Sequence, residues 1–174
     1  MQDVLDFPAD GNRYEVVHGE LLVTPAPRPQ HQAVIAELVD LLRGYLKTLG
    51  RKHTLFTAPA DIAWDDETLV QPDILIVPPG EVTNDWRTYK TLLLAVEVIS
   101  PSSARADRVI KRRLYQENHV ATYWVVDADA RVVEIWHPGD ERPEIATETL
   151  QWRLEEGAPE LDVLLGPVFE GLPQ

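Results

Sequence analysis

The sequence predicts an α/β fold in which a mixed central sheet is flanked by helices, and three observations carry that expectation. Apolar residues recur at helical spacing in two separate segments. Strand-like runs lie before, between and after those segments. One of the runs, TLLLAVEVIS, has few polar interruptions, as befits a strand covered on both faces in the middle of a sheet. The 174 residues suffice for one domain with a real core, read as a single domain over 1–174.

RYEVVHGELLV alternates and turns at His18-Gly19, which predicts a β-hairpin over 14–23. TPAPRP (24–29) is a loop too short to link domains. From Pro29 or Gln30 to Leu49 the apolar Val34, Ile35, Leu38, Leu41, Leu42 and Leu46 mark a helix, and Gly50 stands where it stops. Strands are expected over 53–64 and 72–77, then a loop over PPGEVTNDWRTYK, then the central strand. Pro101 ends that strand, and Ser102 or Ser103 caps a second helix running to Asn118 with Val109, Ile110, Leu114 and Tyr115 inward. ATYWVVD and RVVEIWH are two further strands joined at Asp127 to Ala130, and the tail is acidic and weakly strand-forming.

Composition bounds the function. Hydrophobic residues make up 44% and charged residues 26%, an ordinary globular mixture. No apolar run is long enough to span a membrane. The segment MQDVLDFPADGN has no basic region of the kind that opens a secretory signal. With no cysteine, disulfides and thiolate metal sites are excluded, which fits a cytoplasmic setting. The net charge of −13 argues against a protein that coats nucleic acid by neutralising phosphates, but not against an enzyme whose local field comes from a bound ion.

Two carboxylates stand out by position. Asp73 opens the strand of QPDILIV, and Glu97 lies inside an apolar strand. A buried lone carboxylate is costly, so such a group has a partner or a metal. If the strands are neighbours, both point into one cleft and offer oxygen ligands to a hard cation such as Mg²⁺. Taken singly, each has a plainer reading: Glu97 salt-bridged to an arginine, Asp73 an ordinary strand-start residue. Asp107, Lys111 and Tyr115, spaced i, i+4, i+8, line one helical face. That face lets Lys111 reach the cleft; alternatively Lys111 pairs with Asp107 on the surface.

RYEVVHGELLVTPAP with His31, then QPDILIV, VEVISPSS, the Asp107–Lys111–Tyr115 series and YWVVD together resemble the Uma2 family, in order, from Arg13 to the Asp127 region. The family is similar to the PD-(D/E)xK nucleases. The resemblance implies a restriction-endonuclease-like core and an endonuclease that cleaves phosphodiesters with Mg²⁺ or Mn²⁺. It departs from the ancestral pattern in one place: the lysine expected two residues after the acid is Ile99 here, and Lys111 is the matching position on the next helix.

The resemblance implies that Asp73 and Glu97 hold the metal while Lys111 stabilises charge in the attack, with Tyr115 orienting Lys111 and Asp107 keeping it protonated. Glu15 either completes the metal shell or faces solvent in the hairpin. His31 either touches a phosphate or the attacking water, or binds the loop backbone. The serines after Glu97 serve the turn, and the arginines of the second helix are a phosphate track or a solvated face. The expected partner is nucleic acid, DNA first, with RNA or small nucleotides as other substrates, no membrane, and a homodimer as one arrangement. The competing reading is a non-catalytic homodimeric interaction module that keeps the nuclease fold.

Overall fold

His18 and Gly19 adopt φ of 50° and 76°, the positive pair that a tight two-residue hairpin turn needs, and they close β1 (Arg13–Val17) on β2 (Glu20–Thr24). The computed structural model describes residues 10–51 and 53–172; most of the N-terminal segment read against a signal peptide lies outside them. Helix α1 (Pro29–Thr48) starts on a proline, whose fixed φ suits the first turn. It ends as the glycine promised: Gly50 sits at φ 70°, its N–H bonds Lys47 O, and the Arg51 N–H bonds Leu46 O.

The main sheet has six strands in the order β3 (Leu55–Thr57), β4 (Ile74–Ile76), β5 (Leu94–Ile99), β6 (Tyr123–Asp127), β7 (Val132–Trp136), β8 (Glu144–Ala146). Only β5 and β6 run parallel, so the sheet is mixed and β5 is interior, as its composition required. The crossover between them carries a π-helical segment, Ala106–Lys111, continued by α2 (Arg112–Glu117). Strands β9 (Thr149–Trp152) and β10 (Leu161–Leu164) form a separate hairpin ending in the short α3 (Leu165–Val168).

Alternation along the strands sorts side chains between two layers. Ile74, Ile76, Leu94, Val96 and Val98 pack with α1 and the C-terminal hairpin in a core that is apolar throughout. Leu75, Val77, Ala95, Tyr123 and Val125 face the other way, against Leu114, Tyr115 and the hairpin residue Val17. Asp73 and Glu97 share the parity of this second set, which places the site between the sheet, the β1–β2 hairpin and the second helix.

The predicted period of α1 gains a detail, and two local expectations need correction. Leu41 is on the exposed side of α1, and Val39 and Tyr45 are buried instead. In the π-helical segment Val109 is 40% exposed, whereas Asp107 and Lys111 are the buried residues; the charge cluster, not the apolar residue, decides which side turns inward. No serine side chain caps the helix: Ser103 Oγ accepts the Ser100 N–H and steadies the turn before it. Among the described residues no helix is long and apolar enough to cross a membrane.

Candidate active site

Adjacent antiparallel strands bring the two acids together. The pairing of Ile74 with Val96 puts Asp73 beside Glu97 on the same face, each 2% exposed. Asp73 Oδ2 accepts the Val98 N–H at 2.8 Å and lies 3.0 Å from His31 Nε2, while Oδ1 accepts from Arg13 Nη2 at 2.7 Å. Glu97 Oε1 accepts from Lys111 Nζ and from the Tyr115 hydroxyl, both at 3.0 Å. Its other oxygen, Oε2, stands 3.8 Å from Arg13 Nη1.

Lys111 is 3% exposed and serves three carboxylates: Glu15 Oε2 at 2.7 Å, Glu97 Oε1 at 3.0 Å and Asp107 Oδ1 at 3.2 Å. The surface pairing with Asp107 is therefore excluded; the pair exists, inside the protein. Glu15 does not face solvent either. It is fully buried, its Oε1 accepts the Gln71 N–H at 2.8 Å, and its second oxygen holds Lys111. His31, in the first turn of α1, binds Asp73 rather than the loop backbone. The Tyr115 hydroxyl meets Glu97 and not the lysine it was expected to orient.

Burial opposes ionisation of Asp73, Glu97, Asp107 and Lys111; it prevails at Glu97 and Asp107 and is overcome by partners at Asp73 and Lys111. For Asp73, burial would raise the pKa, but the His31 hydrogen bond, the Arg13 guanidinium and the Val98 N–H together hold it down to about 2. For Glu97, burial pushes the carboxyl well above the usual range; Lys111 opposes this, and the neighbouring Asp107, Asp73 and Glu15 add to it. Burial likewise raises Asp107. Lys111, although desolvated, is held well above an ordinary lysine by Glu15, Glu97 and Asp107, so it remains an ammonium.

The cluster borders a cavity of about 320 Å³, near the lower end for ligand pockets. The loop after β2 and the Ser100–Ser103 turn form its walls, and Arg13, His31, Asp73, Glu97, Asp107 and Lys111 all line it. Five sequence-derived candidates thus converge on one place: Asp73, Glu97 and Lys111 directly, Glu15 through Lys111, and His31 through Asp73. Arg13 was missed as a site residue. Its signal was the strand period, which puts Arg13 on the same side as Glu15 two residues on.

Among the described residues no three acids or histidines stand as a ready-made metal cage. The donor chemistry nevertheless fits a divalent cation. Leaving the imidazole aside, the four buried carboxylates Glu15, Asp73, Glu97 and Asp107 face two permanent cations, Arg13 and Lys111. With all four acids ionised the cluster carries a surplus of two negative charges in a desolvated place, balanced by protons or by a cation, and its oxygens are of the type hard cations take.

A mixed sheet with this acid–lysine cluster beside its β4–β5 pair places the molecule among restriction-endonuclease-like α/β proteins. Residues 1–171 match the Uma2 family, described as "Putative restriction endonuclease", and the chain belongs to that family. A solved structure described as a "putative nuclease belonging to DUF820" from Anabaena variabilis ATCC 29413 superposes with a TM-score of 0.78. It is 17% identical over 99% of this chain and 98% of its own, a likeness of fold. No curated protein matches the chain.

Proposed function

We propose that this chain is a nuclease domain over 1–174 that hydrolyses nucleic-acid phosphodiester bonds, DNA first, with Mg²⁺ or Mn²⁺, in the cytoplasm. The observation that carries this reading is the side-by-side placement of Asp73 and Glu97 with a buried ammonium on one of them, all opening on a single cavity. Asp73 and Glu97 are the residues to hold the cation. When bound, it supplies Lewis-acid polarisation of the phosphate and makes the attacking water more acidic.

The chain's own groups do the rest. Lys111, locked as an ammonium by Glu15 and Asp107, offers a fixed positive charge to the negative charge that grows on the phosphate during in-line attack. Being already in place and desolvated, it needs no reorganisation at that moment. Glu15 and His31 are positioning residues: the first ties Lys111 to the Gln71 backbone, the second fixes the Asp73 carboxylate.

The test compares Asp73→Ala and Lys111→Ala with the wild-type chain on DNA in Mn²⁺. Cleavage should fall by about 10²-fold or more in each, the scale on which removal of one charge-stabilising group acts. Cleavage that survives both substitutions sinks the reading.

A further inference from the structure

The two cations of the cluster are not held alike. Lys111 is 3% exposed and closed in by three carboxylates. The Arg13 side chain is 20% exposed, lines the cavity, and is the first residue of β1. Its guanidinium lies between the two acids: Nη2 is 2.7 Å from Asp73 Oδ1, Nη1 is 3.8 Å from Glu97 Oε2, and Nη1 also donates to Gln71 O at 3.1 Å. The longest of these contacts is to Glu97 Oε2, the oxygen that neither Lys111 nor Tyr115 uses. Arg13 therefore spans the gap between the two oxygens facing the shared space, and it is the cation with a way out.

We infer that Arg13 is an exchangeable counter-ion, a tethered guanidinium that occupies the seat between Asp73 and Glu97 and must leave it when a divalent cation enters. The inference rests on the nuclease reading above and assigns Arg13 a role in setting metal affinity. Without a divalent ion, the guanidinium keeps two facing carboxylates from repelling each other. With one, the ion must sit within about 2.0–2.6 Å of oxygens whose shared gap the guanidinium now fills, and two cations that close in a desolvated place repel, so Arg13 moves out. The chain thus binds metal against its own side chain, with an affinity weaker than the bare carboxylates would give. Lys111 has no such role: it is 3% exposed and held by three carboxylates, whereas Arg13 keeps 20% of its side chain in solvent.

Calorimetric titration of MnCl₂ into the full chain tests this, with thermal melting as a second readout. Arg13→Gln should bind Mn²⁺ about tenfold or more tightly than wild type, because a positive charge beside a divalent ion has been removed. It should also melt lower than wild type without Mn²⁺ and gain more from Mn²⁺. Arg13→Lys keeps the charge but lacks the fork that spans both acids, and should fall between the two. Asp73→Asn should abolish binding in either background. If Arg13→Gln does not fold, the lysine variant decides alone. Equal or weaker Mn²⁺ binding in the Arg13 variants, with wild type binding normally, overturns the inference and leaves the nuclease reading standing. Absence of binding in wild type and variants alike overturns both.

Discussion

Two ion clusters grow from neighbouring residues of the same helix, and they differ in kind. Arg108 reaches Asp127 at 2.8 Å and also pairs with Glu134, tying the helix to β6 and β7 with its side chain 34% exposed. Lys111, less than a turn further on, is 3% exposed and meets three acids. Distances alone do not separate them. What separates them is water: Arg108, Asp127 and Glu134 each keep part of their side chain in solvent, whereas the surplus charge around Lys111 can be balanced only by a proton or another cation. A site is marked here by an uncompensated charge kept out of solvent, and short ion-pair distances by themselves mark only proximity.

The contrast breaks first at Lys111. Lys111→Met leaves Glu15, Glu97 and Asp107 buried without their shared partner, and should cost about 3–5 kcal/mol in urea unfolding at pH 7. A loss within experimental error of zero would mean that the cluster is wet and the distinction false.

The pH profile sharpens it. Glu97 and Asp107 hold their protons to higher pH in the folded chain than in the unfolded one, whose values are near 4.5 and 3.8. Their contribution is complete below those values and is lost as pH rises through the folded ones. Asp73, held down to about 2, works the other way: its contribution is present above 3.8 and is lost as pH falls towards 2. In EDTA the melting temperature should therefore be higher at pH 5 than at pH 8, and Glu97→Gln should flatten that fall and raise the pH 8 value by a few degrees, while in a separate assay with Mn²⁺ its cleavage disappears. A melting temperature that climbs from pH 5 to pH 8 contradicts this.

Arg108→Met gives the smallest effect, within about 1 kcal/mol in the same urea experiment and with DNA cleavage retained. A loss as large as that at Lys111 would erase the comparison.

Much of this was legible in the residues. The hairpin follows from His18-Gly19 between alternating strands, α1 from its apolar period and Gly50, and the central position of β5 from its composition. Asp73 and Glu97 were visible as polar intrusions in apolar strands, and Lys111 as the middle of an i, i+4, i+8 series. Arg13 was not, because strand period says which way a side chain points but not that the hairpin folds over the sheet; the Val16–Leu69 backbone pairing that docks it joins residues far apart in sequence. Val109 was misplaced for a related reason. A helical period admits several inward faces, and tertiary partners choose among them.

The π-helical segment that carries Asp107 and Lys111 has one further consequence. Its hydrogen bonds reach one residue further than those of an α-helix, so the stretch holds what amounts to a single extra residue. Were it to tighten to ordinary pitch with no residue removed, the residues on one side of the segment would swing by about 100° against those on the other. A one-residue deletion there is therefore the change this helix can absorb: the segment would close to ordinary pitch with both flanking turns still facing as they do, whereas tightening without a deletion would turn one side away from the sheet.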